Sequence, residues 1–299
     1  MSTDRGSAGS PGLLGKLTSN LLELRRCRRH GGCRRDCAHD RTADGRLPWT
    51  TDGYGGWGGH EFHGTDPGTD RTPVVFVHGN QRDACDWNVH AEFFRNRSYG
   101  GDALWAITFG SGSPSHDEMA DQLDAFVSQV REHTGAPSVA VVSHSLGVTG
   151  TRYWLHRDDR YDWVDTFVGL AGANHGTVLN SMAVRAGLTS GTYKITNFLR
   201  KDYHRLDDHP LGDLNAEETP GDVDYYTVRG TEDPLFWNCL DSPALDGAEN
   251  VAITADHDGA RASLPAIERV FEWCSGQKPY NFRALLGSER DDGDEPARP

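Results

Sequence analysis

The sequence predicts an α/β fold, a mostly parallel sheet flanked by helices on both faces. Three observations carry this. Short β-branched and aromatic runs recur between Thr72 and Cys274. They are continuous rather than alternating, as in strands buried on both faces. Amphipathic segments of helical period separate them, which is the βα rhythm of a covered parallel sheet.

The first run, 73–77 (PVVFV), ends in His78-Gly79-Asn80. The second spans 104–108. A helix opens after Pro114: Ser115 caps it, and Glu118 stands three residues later as its capping-box partner. Met119, Leu123, Phe126, Val127 and Val130 share one face, and Gly135-Ala136-Pro137 stops the helix. A third strand covers 138–142 and a helix 146–156. Residues 166–170, 223–228 and 250–253 supply three more strands, and 264–274 a closing helix. Residues from about 174 to 221 break the rhythm and are expected to form a small cap over the strand ends. The predicted organisation is a flexible Arg/Cys-rich extension over 1–70, a catalytic domain over 71–276 and an acidic disordered tail over 277–299.

The chain has 299 residues and a formal net charge of −14, with 36% apolar residues. The composition is globular, and the negative balance opposes whole-chain binding to a phosphate backbone, so no nucleic-acid partner is expected. No apolar run approaches the ~20 residues that span a bilayer. The N-terminal residues lack the apolar stretch of about 7–15 residues found in a secretory signal, and the expected location is cytoplasmic. Cys27, Cys33 and Cys37 cluster near His30 and His39. Their spacing is not that of a familiar zinc motif, so no metal is assigned. Cys239 and Cys274 would pair only in an oxidising compartment. Arg25, Arg26, Arg28, Arg29, Arg34 and Arg35 form a basic block on an acidic chain.

The chemistry centres on residues 139–147, VAVVSHSLG. A buried strand runs into a helix through a tight turn at Ser145, a nucleophile elbow with Ser143 where the first glycine usually stands and Gly147 at the last. A serine hydroxyl needs a base, and the base an orienting acid. The acid is expected after a late strand, where Gly230-Thr231-Glu232-Asp233 stands; Asp233 is preferred, with Glu232 the alternate. The base is expected on the loop after the last strand, which makes it His257. The backbone N–H groups of Asn80 and Leu146 are the expected donors to an oxyanion. His78 reads as a support for the Asn80 loop. Trp87, Phe236 and Trp237 are candidates for an apolar acyl pocket.

PVVFVHGN, VVSHSLGV, FVGLAGANHGT and GTEDPLF together resemble the class 2 bacterial lipases. They are also similar to the polyhydroxyalkanoate depolymerases that carry a lipase-like box. The resemblance covers roughly 72–274. It implies an α/β-hydrolase fold and hydrolysis of carboxylic esters without cofactor or metal. Ser145 would be the nucleophile, Asp233 the acid, His257 the base, and Asn80 with Leu146 the oxyanion donors. The substrate would be a small-molecule, lipid or polyester ester. Polyester depolymerisation by the same triad is the alternative, and a non-catalytic hydrolase-fold binding protein the distant one.

Overall fold

The computed structural model describes residues 41–187 and 197–277. The Arg block, the Cys27/Cys33/Cys37 cluster and the acidic tail lie outside the described residues. Seven strands form one sheet: β1 Tyr54–Gly58, β2 Val74–Val77, β3 Leu104–Phe109, β4 Val139–His144, β5 Val164–Leu170, β6 Asp224–Gly230 and β7 Glu249–Ile253. Their order is β1-β3-β2-β4-β5-β6-β7. Every neighbouring pair is parallel except β1 with β3. The helices are α1 Gly59–His63, α2 Asn88–Arg95, α3 His116–Thr134, α4 Leu146–Arg157, α5 Val178–Arg185, α6 Pro210–Leu214, α7 Gly259–Ala262 and α8 Leu264–Ser275.

The continuous apolar strands are buried on both faces, as their composition requires. Val75 and Val77 pack with Met119, Leu123, Phe126 and Val127 of α3 and with Val148 and Trp154 of α4. Val74 and Phe76, one residue out of phase, face Ala91 and Phe94 of α2 and Val270 and Phe271 of α8. The alternation of β-strand side chains thus divides the core into two layers. α3 begins as its sequence dictates. The Ser115 hydroxyl accepts from the Glu118 N–H at 3.2 Å, and the Glu118 carboxylate accepts from the Ser115 N–H at 2.7 Å. Gly135 closes it in the left-handed conformation. No helix of the described residues is long and apolar enough to cross a membrane.

Two sequence expectations need correction. The first is the domain boundary at residue 70. β1 lies inside the segment read as a flexible extension, with Trp57 fully buried and donating its indole N–H to the Ala84 carbonyl at 2.9 Å. The Arg41 guanidinium donates to the carbonyls of Phe109 and Arg82, both at 2.7 Å, so the domain includes residues from 41 onward. The second is the pairing of Cys239 with Cys274. Both are free, because Cys239 packs on the α3/α4 side of the sheet and Cys274 on the α2/α8 side.

Between β5 and β6 the chain makes α5, a short turn over Tyr203–Arg205 and α6. Buried Arg152 of α4 ties this insertion down, donating to the Leu214 carbonyl at 2.7 Å and the Asn215 side chain at 3.1 Å.

Among the described residues, the imidazoles of His78, His90 and His116 are buried, and burial lowers each pKa to about 3. Each stays neutral in the folded chain yet protonates near its ordinary value once unfolded. Their contribution is fully present above about pH 6.5 and is lost as pH falls toward 3. Each steepens that loss by about 1.4 kcal/mol per pH unit. Melting temperature should therefore drop progressively between pH 6.5 and 5, where carboxylates scarcely titrate. A flat profile across that range would contradict the buried neutral state.

Candidate active site

Strands β2, β4, β6 and β7 carry the site on the loops at their C-terminal ends. β4 delivers Ser145, at φ 56° and ψ −119°, before α4 begins at Leu146. This left-handed turn is the strained backbone that a nucleophile elbow imposes. It is held by the Ser145 N–H, which donates to the Leu170 carbonyl at 2.9 Å. Gly147 must be glycine, since a Cβ there would sit 2.5 Å from the His78 carbonyl oxygen. Ser143, where a glycine was expected, is fully buried, and its hydroxyl is satisfied by Thr151 at 2.8 Å. A polar atom at this close-packed position is therefore tolerated.

The His257 ring bridges the other two predicted residues. The Ser145 hydroxyl lies 2.8 Å from His257 Nε2, and His257 Nδ1 lies 2.7 Å from Asp233 Oδ2. The Asp233 side chain is fully buried, whereas His257 is about a quarter exposed. Asp233 also caps the helical turn Pro234–Phe236, its Oδ1 accepting from the Leu235 N–H at 2.9 Å. One carboxylate thus serves the cap and the imidazole together, with one oxygen for each. Glu232 is exposed, and its backbone N–H donates to the Ala255 carbonyl at 3.0 Å. Together with the Thr231 N–H on the Ile253 carbonyl, it stitches the acid loop to the His257 loop.

The β2 loop closes over the nucleophile. A Cβ on Gly79 would meet the Ser145 Cβ at 2.9 Å, so a side chain there would collide with the elbow itself. His78 is buried. Its Nδ1–H donates to the Gly79 carbonyl at 2.7 Å, and its Nε2 accepts from the Phe109 N–H at 3.0 Å. Both nitrogens are used in holding the loop. Neither the Asn80 nor the Leu146 N–H donates to a protein acceptor among the described residues. The Asn80 side chain accepts from the Ser113 hydroxyl at 2.7 Å.

Sequence reasoning missed two supports. His144, buried directly before the nucleophile, donates its Nε2–H to the His257 carbonyl at 3.1 Å. Burial, with the neighbouring His257 second, holds its pKa well below the ordinary imidazole value. Arg82 Nη2 donates to both Asp258 carboxylate oxygens at 2.7 Å, linking the Asn80 loop to the His257 loop across the site. The signal for His144 was its place inside the elbow; the Arg82 pair joins segments far apart in sequence and left none. The three aromatic candidates part company. Trp87 is core, stacked on Phe76 at 5.1 Å. Phe236 is buried with its ring 6.1 Å from His257. Trp237 is three-quarters exposed.

Solved structures share this architecture. Lipase B of Aspergillus fumigatus is 16% identical over 70% of this chain and 53% of its own, with a TM-score of 0.55. The mature lipase of Bacillus licheniformis is 17% identical over 69% of this chain and 96% of its own, with a TM-score of 0.49. A Bacillus subtilis carboxylesterase is 14% identical over 70% and 86%, with a TM-score of 0.44. At such identities the likeness bears on the fold alone, and the first of these supports an α/β-hydrolase fold. The family model for lipase (class 2) matches residues 71–244. That span is more than half of the chain and takes in the Asn80 loop, the Ser145 elbow and the Asp233 turn. The chain therefore belongs to the class 2 lipases, α/β-hydrolases whose family chemistry is the hydrolysis of carboxylic esters.

Proposed function

We propose that this chain hydrolyses carboxylic esters through an acyl-enzyme formed on Ser145. The observation that carries the reading is the unbroken chain Asp233–His257–Ser145, with links of 2.7 and 2.8 Å. Asp233 accepts from His257 Nδ1–H and so fixes the tautomer that turns the Nε2 lone pair toward the hydroxyl. Ser145 Oγ attacks the ester carbonyl while its proton passes to Nε2. The oxyanion accepts from the Asn80 and Leu146 N–H groups, donors of the kind worth about 3–4 kcal/mol of barrier each. Collapse breaks the acyl–oxygen bond, and His257 returns its proton to the departing alcohol. Water then attacks the acyl-enzyme with His257 as base, releasing the acid and restoring Ser145.

The surroundings favour an apolar acyl group. Leu179 and Met182 on α5, with Trp237 and Leu240 beyond the Asp233 turn, are exposed apolar side chains. The Ser242 hydroxyl donates to the Gly176 carbonyl at 2.7 Å, which ties the segment after the Asp233 turn to the residues just before α5.

A panel of p-nitrophenyl esters from acetate to palmitate tests the reading. Hydrolysis that favours acyl chains longer than acetate, and that is lost in His257→Ala, is the expected result. An optimum at acetate would sink the lipid-type assignment while keeping the mechanism. Undiminished turnover by His257→Ala would sink the mechanism.

A further inference from the structure

A second cluster of chemically capable side chains lies at the other end of the sheet. Asp102 stands just before β3, at the N-terminal ends of the parallel strands, whereas Ser145 follows the C-terminal end of β4. His60 of α1 and His133 in the last turn of α3 converge on the same Asp102 oxygen. His60 Nδ1 is 3.0 Å from Asp102 Oδ1, and His133 Nε2 is 3.5 Å from it. The three ligand atoms lie within 4.8 Å of one another. We propose that His60, Asp102 and His133 form a structural site for one divalent zinc ion, with water completing the shell.

The separations match those between ligands of one metal ion. Four ligands at about 2.0–2.1 Å from a tetrahedral ion stand roughly 3.3–3.4 Å apart. The observed 3.0 and 3.5 Å bracket that edge. Without an ion, the His60 Nδ1–H can reach either Asp102 oxygen, at 3.0 and 3.2 Å, but His133 Nε2 meets only Oδ1, at 3.5 Å, which already accepts from the His60 backbone N–H at 2.8 Å. With an ion, the three sets of lone pairs converge instead. Two imidazoles and one carboxylate are a donor set for zinc and similar ions, rather than for the hard cations calcium and magnesium.

The carboxylate is also prepared in the way a ligand is. Asp102 is nearly buried, and backbone N–H groups of His60 and Gly68 donate to its two oxygens. Such outer-shell bonds orient metal-binding carboxylates. Gly59, at φ +81°, keeps the approach open: a Cβ there would lie 3.4 Å from Asp102 Oδ1 and 3.0 Å from the Trp105 ring. The His133 ring is set edge-on against Trp105 at 5.4 Å, and the His60 ring stacks parallel to it at 6.3 Å. A cavity of about 250 Å³ opens onto both imidazoles and gives water and ion a way in. Arg46 and Glu61 also line it.

The ligands come from three segments far apart in the chain. An ion would therefore pin edge strand β1 and α1 to the end of α3, and its effect would be on stability rather than turnover.

The test uses the full chain, stripped with EDTA, desalted and titrated with zinc chloride. The expected result is one zinc per chain and a melting temperature raised by about 5–10 °C at zinc 100-fold above Kd. Calcium and magnesium should leave it unmoved. His133→Gln, which changes a partly exposed side chain at a helix end, should lose both the ion and the shift, as should His60→Gln. A variant with Cys27, Cys33 and Cys37 all changed to Ser should keep both. Turnover of p-nitrophenyl ester at 25 °C should stay within about twofold with and without zinc. A His133→Gln chain that still binds one zinc with the full shift would overturn the site. So would a loss confined to the cysteine variant, or a wild-type chain whose melting temperature zinc does not move.

Discussion

Ser145→Ala is expected to lower kcat for p-nitrophenyl ester hydrolysis about 10⁴–10⁶-fold, with little change in melting temperature. The size follows from what is removed. The hydroxyl is the atom that would form the acyl-enzyme, and its 2.8 Å contact with His257 Nε2 is its one polar side-chain contact among the described residues. Losing it leaves the Asn80 and Leu146 amides able to bind an oxyanion that no longer forms efficiently, so a residual rate over water remains. The fold should barely respond. The elbow is held by the Ser145 N–H on the Leu170 carbonyl and by the absence of a side chain on Gly147, neither of which involves the hydroxyl. The strained backbone at φ 56° remains, because alanine bears the same Cβ. A variant retaining more than about a hundredth of wild-type kcat would remove Ser145 from the mechanism. Wild-type and variant protein should show matching near-ultraviolet circular dichroism, so that a lost rate is not a lost fold.

The parts of the site that lie next to strong local patterns were legible in the sequence. Ser145 sits between a β-branched strand and a helix. Asp233 and His257 each follow a run that reads as a strand of the parallel sheet, so their places at the same sheet end followed from the topology. The edge strand β1 was hidden because three of its five residues are glycines, which carry no β-branched or alternating signal. It is held by pairing with β3 and by the buried rings of Tyr54 and Trp57, a tertiary effect. Trp87 looked like a pocket residue on aromatic character alone, but it packs on Phe76, a partner that composition does not reveal. The same limit hid the His60–Asp102–His133 cluster. The start of α1, the turn before β3 and the last turn of α3 bring it together, and no spacing rule connects them. The chain has 14 histidines, so only the fold distinguishes those two.

Asp233→Asn should cost about 10⁴-fold in kcat while leaving substrate binding and stability nearly unchanged. The two oxygens of Asp233 do different work. Oδ1 accepts from the Leu235 N–H at 2.9 Å, and the amide oxygen of Asn can continue to do so. The amide NH₂ then occupies the place of Oδ2, facing His257 Nδ1 at 2.7 Å. A donor there is met only by a lone pair on Nδ1, which puts the ring proton on Nε2, opposite Ser145. The imidazole is then the wrong tautomer to accept the serine proton. Asp233→Ala removes the cap as well, and should add about 0.5–2 kcal/mol of destabilisation to the same kinetic loss. Glu232→Gln is the informative control, since Glu232 is exposed and the other carboxylate of the loop. It should keep kcat within about threefold of wild type, as exposed substitutions away from the reacting groups usually do. If Glu232→Gln lost activity and Asp233→Asn kept it, the orienting acid would be Glu232, and the buried carboxylate would be only a helix cap.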